Sequence, residues 1–212
     1  MVNNNVLYIT ILLILILLTF KFFFMTVKVT SNSMEKTLIN NTTALILKRN
    51  IKPFNDKIVV YEINNQNFLK RVKGKPGDTI RINKLGIEAH NEILQNMIIS
   101  TPNRNIETFS EFNNRFLDNY VVPFKGLTIP LNKQTLSIYK HLIEIIEGCE
   151  FEEIENKYYL CNSKISKYTF PENTYYLMGD NRSNSRDSRY FGAIPASKIK
   201  GEYLFTLFTP RE

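Results

Sequence analysis

Tryptophan is absent from this chain of 212 residues, histidine and cysteine occur twice each, and glycine and proline supply eight residues each. The shortage of histidine is the most restrictive of these. A serine hydroxyl is a poor nucleophile until a neighbouring base takes its proton, and histidine is the usual base. His90 and His141 both lie away from the strand-rich segments, so a Ser/His/Asp triad would need an awkward fold. They read as surface or helix-face residues. Cys149 and Cys161 have neither the spacing nor the accompanying histidines of a metal site, and no metal or nucleotide cofactor is expected. No zinc spacing, basic helix or Gly/aromatic sheet signature is present, so the excess of 27 Lys+Arg over 20 Asp+Glu does not point to nucleic acid. It reads as a lysine-rich surface or as contact with anionic lipid head groups. No internal repeat or long low-complexity linker interrupts the chain.

What is present begins with an apolar run. Residues 6–25 contain one charge, Lys21, and twenty residues at about 1.5 Å each match a hydrocarbon core of roughly 30 Å. Lys21 lies near one end, where its stem can stay in lipid while the ammonium reaches the interface. A cleaved secretory signal would have a charged start, a shorter apolar core and small residues at its end. Met1 to Asn5 carry no lysine or arginine, and Phe22, Phe23, Phe24 and Met25 close the run, so the segment reads as an uncleaved anchor with residues 1–5 as a short N-terminal tail. Lys28, Lys36, Lys48 and Arg49 follow it, which by the positive-inside rule would put the bulk of the chain in the cytoplasm.

The remaining 185 or so residues suffice for one domain with a small additional lobe. Segments 43–48, 57–63, 68–72, 79–82, 174–178 and 202–208 are short, β-branched or aromatic, and bounded by Asn, Pro, Gly and Asp. Leu136, Tyr139, Leu142, Ile143 and Ile146 recur at helical spacing between a candidate Asn132 cap and Gly148. The predicted architecture is mainly β: a β-rich core formed by residues 26–82 and 173–212, with a helix-containing insertion at 83–172. Cys149 and Cys161 flank two short strands around an Asn-Lys turn; a hairpin there permits a disulfide, and two buried thiols fit equally.

Without a histidine base, a lysine can serve if its amine is neutral, and moving its pKa from about 10.4 to near 7 or 8 costs on the order of 4 kcal/mol, supplied by burial. Lys70, in a strand between Leu69 and Arg71, is a candidate, although a strand lysine is ordinarily solvated. Ser33 and Ser31, just beyond the anchor, are equally compatible with simple turn chemistry.

Taken together, four segments lift these candidates. Ser31 to Leu38, Asn55 to Tyr61, Lys70 to Asp78 and Gly179 to Gly192 resemble, in order, the successive boxes of bacterial type I signal peptidases, a Ser/Lys family. The resemblance spans about forty residues and does not extend to the insertion. It implies a signal-peptidase-like β fold, Ser33 as nucleophile and Lys70 as general base. It further implies an oxyanion hole from the Ser31 hydroxyl and the Ser33 backbone N–H, and Ser185 orienting the lysine amine. Asp187 and Arg189 match a supporting ion pair, and Asp180 and Arg182 share their loop; an Asx-rich surface turn would have similar spacing. Met34 and Leu38 match residues lining shallow pockets for small side chains.

The implied substrates are secretory preproteins cut after Ala-x-Ala-like sites. The implied setting is a monomer anchored by a single pass in the cell membrane, with its catalytic domain on the extracytoplasmic side, against the positive-inside reading. The chain departs from the family pattern at Lys36, usually proline, at Asn55, usually glycine, and at Phe191, often tryptophan. Related Ser/Lys self-cleaving repressors fit less well, because they lack a membrane span. A catalytically inactive membrane-anchored β-domain that binds exported peptides is the non-enzymatic alternative, against which the intact Ser31, Ser33, Lys70 and Ser185 set argues.

Overall fold

The computed structural model describes residues 4–48, 56–83, 86–90, 117–155 and 157–210; Asn55 lies outside them. The chain opens with helix α1 (Asn4–Phe23), apolar on all sides and exposed along its length. Such all-round apolarity with no protein covering suits a lipid environment, and α1 is long enough to cross a membrane. The helix stops two residues before the apolar run does, because Phe24 and Met25 already belong to strand β1 (Phe24–Lys28), paired with Leu47 and Ile46 of β2 (Thr43–Lys48). Helix passes into strand without a linker. Lys48 Nζ closes the junction by donating to the Lys21 carbonyl at 2.9 Å, satisfying one of the acceptors that a helix C-terminus leaves unpaired.

Strands β3 (Ile58–Ile63) and β4 (Gln66–Gly74) form a hairpin whose turn residues Asn64 and Asn65 have φ of 51° and 61°, the left-handed conformation that two-residue hairpin turns need and asparagine tolerates. Together with β13 (Thr174–Met178), β14 (Ile194–Pro195) and β15 (Ile199–Phe208), the first four strands build a seven-stranded antiparallel sheet in the order β1-β2-β15-β3-β4-β13-β14. Both faces are covered. Val60 and Leu69 pack with Val27, Met34, Ala44 and Ile46 on one side, and Val59 and Val72 pack with Tyr61, Tyr175, Leu177 and Ile194 on the other. This double burial explains why residues 58–61 read as a continuous apolar run rather than an alternating one.

A second group of elements lies between β4 and β13 in sequence. Strand β5 (Thr79–Asn83) pairs with β6 (Gly86–His90) and β7 (Leu117–Val121). Strand β8 (Thr128–Pro130) and helix α2 (Lys133–Glu147) follow, then β9 (Phe151–Ile154), β10 (Lys157–Leu160), β11 (Ser163–Ile165) and β12 (Lys167–Thr169), with β8 paired to β12. Helix α2 forms where its apolar spacing predicts. Asn132 caps the backbone N–H groups of Gln134 and Thr135, Thr135 returns the bond to Asn132 N, and Gly148 ends the helix at φ 70°. Its buried face, Tyr139, Leu142 and Ile143, joins Phe170 and meets Tyr176, Met178 and Ala193 of the main sheet's end. Cys149 and Cys161 are joined across the β9–β10 hairpin with Cα atoms 5.5 Å apart, which resolves the alternatives left open by the sequence.

Candidate active site

Ser33 occupies a single 3-10 turn, Asn32–Met34, that the chain enters from β1 through the extended residue Ser31. Met34 and Leu38, 1% and 2% exposed, anchor this turn in the apolar layer beneath it. Ser33 Oγ accepts from Lys70 Nζ at 2.5 Å and lies 3.1 Å from Ser31 Oγ. The Ser33 backbone N–H, by contrast, donates to nothing among the described residues. It is therefore available to a ligand oxygen.

Lys70 stands on β4 and, at 3% exposure, is as buried as the core residues around it. Burial pushes its amine down to about 8, and the carboxylates of Asp187 and then Asp180 only partly offset the loss of hydration. The loop 179–187 follows β13, which pairs with Arg71 to Gly74 of β4, and brings Asp187 and Asp180 near the amine. Gly179 makes that approach possible. A Cβ at this position would stand 2.6 Å from the Ser33 carbonyl oxygen and 2.6 Å from Ser185 Cβ, inside contact distance.

Asp187 organises the loop from a fully buried position. It accepts from Gly179 N at 2.9 Å, from Ser185 Oγ at 2.8 Å, and from the Arg189 guanidinium at 2.9 and 3.0 Å. The hydroxyl of Ser188, which opens the short helix α3 (Ser188–Phe191), accepts from Leu177 N at 2.8 Å and ties the loop to β13. Ser185 is brought beside the site but gives its proton to Asp187, and no hydrogen bond joins it to Lys70.

A second ionic group grips the segment after the Ser33 turn from outside. Asp180 accepts from Arg71 Nε and Nη2 at 2.8 and 2.6 Å and from Thr37 Oγ1 at 2.5 Å. Burial alone would raise the Asp180 carboxyl, but these donors outweigh it and hold it below the usual carboxylate range. Arg182 is half-buried, with Nη1 3.4 Å from Met178 Sδ and no hydrogen bond to a carboxylate; burial and the neighbouring Arg189 lower its pKa. The sequence reading missed Arg71, Thr37 and Asn181. All three sit inside the matched segments, so their positions carried a signal, but their partners are 109 and more residues away. His141 lies with its ring 5.8 Å from Phe191, and His90 ends β6.

Ser33 opens onto a cleft of about 430 Å³ lined by Val27, Val29, Ser31, Met34, Phe68 and Lys70, among others, while Leu38 lies beneath it and not on its wall. The cleft runs between two strand edges. β1 is the terminal strand of its sheet, and β4 pairs with β13 only from Arg71 to Gly74, leaving its Gln66–Lys70 half with β3 on one side alone. Two open backbone edges around a slot of mixed polar and apolar lining can accept an extended chain. Among the described residues no cluster of three or more His, Cys, Asp and Glu could hold a metal.

A model of the family described as signal peptidase, peptidase S26, matches residues 2–208. A signal peptidase I of Buchnera aphidicola subsp. Schizaphis graminum is 30% identical over 84% of the chain and 60% of its own length, so the chain spans about three-fifths of that relative. A signal peptidase I of Streptococcus pneumoniae is 29% identical over 88% of the chain and 83% of its own length. Among solved structures, a signal peptidase I from Enterococcus faecalis is 22% identical, covers 72% of this chain and 97% of its own, and superposes with a TM-score of 0.34, too loosely to bear on the argument. With the family model spanning nearly the whole length, the chain belongs to the signal peptidase family, peptidase S26.

Proposed function

We propose that this protein is a membrane-tethered serine endopeptidase that removes signal peptides from exported preproteins. The observation that carries the reading is the buried Lys70 amine held 2.5 Å from Ser33 Oγ. Lys70, neutral, takes the Ser33 proton as the oxygen attacks the scissile carbonyl. The oxyanion forms against the Ser33 N–H and the Ser31 hydroxyl, whose preorganised donation lowers the barrier. Lys70 then passes its proton to the leaving amine, giving an ester on Ser33, and the same amine activates the water that hydrolyses it. Ser185, Asp187 and Arg189 fix the loop that covers the lysine; Asp180 and Arg71 hold the turn that carries the serine, and Arg182 packs beside them.

The substrate lies extended in the cleft between β1 and β4. Met34 on the wall, with Leu38 behind it, leaves room for small side chains, which is the basis for the Ala-x-Ala preference. Helix α1 crosses the cell membrane once with the β domain outside, so that the substrate's own apolar segment and the cleft share one surface. The working unit is a monomer that needs the bilayer as its second partner.

The test is cleavage of a preprotein bearing an Ala-x-Ala site, in detergent, with product masses locating the cut. Wild type is expected to cut after the second alanine, and Ser33→Ala and Lys70→Ala to leave the substrate intact. Normal cutting by either variant would overturn the Ser33/Lys70 dyad, and binding without cutting by wild type would replace the enzyme with a peptide-binding domain.

A further inference from the structure

Asn181 follows the aspartate that binds Arg71, and the three hydrogen bonds it donates converge on the turn that carries Ser33, while it accepts two from Ser183 and Asn184 of its own loop. Its backbone N–H donates to the Ser33 carbonyl at 3.0 Å. Its side-chain amide donates to the Asn32 carbonyl at 3.1 Å and to Glu35 Oε2 at 3.1 Å. The Asn32 carbonyl matters because it is one end of a planar peptide unit whose other end is the Ser33 N–H. Fixing the direction of that oxygen fixes the direction of the hydrogen. It also polarises the unit, since a carbonyl that accepts makes its own N–H a stronger donor.

The turn has little else to set this plane. It is three residues long and Ser31 provides no side-chain cap, its hydroxyl being turned to Ser33. The Asn32 carbonyl receives one bond from within the turn, from Glu35 N at a long 3.2 Å. Glu35 completes the arrangement. As the second acceptor of the Asn181 amide it holds both amide hydrogens in use and, with the Ser183 hydroxyl that donates to Asn181 Oδ1 at 3.2 Å, helps fix the side chain's rotamer, so a surface carboxylate reaches the reaction through one intermediary.

We propose that Asn181 is a positioning residue for the oxyanion hole, aiming the Ser33 N–H through the Asn32 carbonyl, and that Glu35 holds Asn181 in place. The inference rests on the Ser33/Lys70 reading above. Because Asn181 acts on the donor and not on the base, its removal should lower kcat and leave both KM and the pH dependence set by Lys70 where they are.

The test compares wild type with Asn181→Ala, Glu35→Ala and the double variant on the Ala-x-Ala preprotein, with Ser33→Ala as the control that decides the underlying reading independently. Direct loss of an oxyanion donor typically costs about 10²–10³ in kcat; misaiming one should cost less, on the order of tenfold for Asn181→Ala and a few-fold for Glu35→Ala. Affinity for a peptide aldehyde, which forms a tetrahedral adduct on the serine, should fall in parallel with kcat, whereas KM and the ascending pH limb should not move. In the double variant Glu35→Ala should add nothing, since its effect passes through Asn181. An unchanged kcat in Asn181→Ala, a loss confined to KM, a shifted pH limb, or additive effects in the double variant would each overturn the proposal. If Asn181→Ala misfolds, the Glu35→Ala variant alone, altered at an exposed position, still decides by the same split between kcat and KM.

Discussion

Lys70 sets two opposing requirements at one residue. Its amine is worth most when neutral, and neutrality comes from burial, which penalises the charged form. Below pH 8 the folded protein carries the ammonium in a dry site, and in the unfolded chain the same group titrates near its ordinary value of 10.5. Between those values the unfolded chain binds more protons than the folded one, so stability rises with pH across that window and the full penalty applies below it. From 10.5 to about 8, at 1.36 kcal/mol per unit, the penalty is about 3 kcal/mol. Thermal melts of Lys70→Met should therefore show a protein more stable than wild type at pH 7, with the pH dependence between 8 and 10.5 flattened, and with no peptidase activity. In wild type, kcat/KM should climb with pH and level off above about 8, the limb belonging to the Lys70 amine. A melt unchanged by Lys70→Met would show that the folded site does not carry that penalty.

At the scale of elements, the site depends on a loop brought within touching distance of a turn more than 140 residues away. Gly179 is the point of closest approach, and Gly179→Ala would put a methyl group into the Ser33 carbonyl and Ser185 Cβ. Backbone cannot yield as a flexible side chain does, so the loop must move off and uncover Lys70. Activity should fall by at least two orders of magnitude, of the size seen when a transition-state contact is lost, and the Lys70 limb in the residual pH profile should move upward as water returns. Wild-type activity in this variant would mean that the loop does not hold the lysine in place.

Much of the element list was legible beforehand for a local reason. Helix α2 carries its cap, its apolar spacing and its terminal glycine within sixteen or so residues, and strand β3 announces double burial in four. The members of the site were legible only through the pattern of whole segments, since neither Ser33 nor Lys70 stands out singly. What could not be read was pairing at a distance: that Ser185 would turn to Asp187 and not to Lys70, that Thr37 would share Asp180 with Arg71, or that Phe24 and Met25 would leave the apolar run to pair with β2. Those outcomes depend on which surfaces meet, and no local composition encodes it.

For the molecule as a whole, the disulfide lies in the second group of elements, across the β9–β10 hairpin and remote in sequence from Ser33 and Lys70. A link across a loop of about 15 residues stabilises chiefly through the unfolded chain, by around 3 kcal/mol in the entropic treatment. Reduction, or a Cys149→Ser, Cys161→Ser pair, should lower the melting temperature while kcat and KM on a preprotein stay at wild-type values when measured well below the melt. A kinetic change without a stability change would tie that hairpin to the site.

The junction at Phe23 and Phe24 bears on the molecule in another way. With helix running directly into strand, and Lys48 of the next strand locked to the helix's last turn, the anchor and the sheet behave as a mast fixed to its deck rather than a buoy on a line. In the membrane-anchored arrangement proposed above, the deck could not ride up or down against the bilayer without tilting the mast, so the fold would set the height of Ser33 above the lipid, and a scissile bond presented at another height would miss the proposed nucleophile.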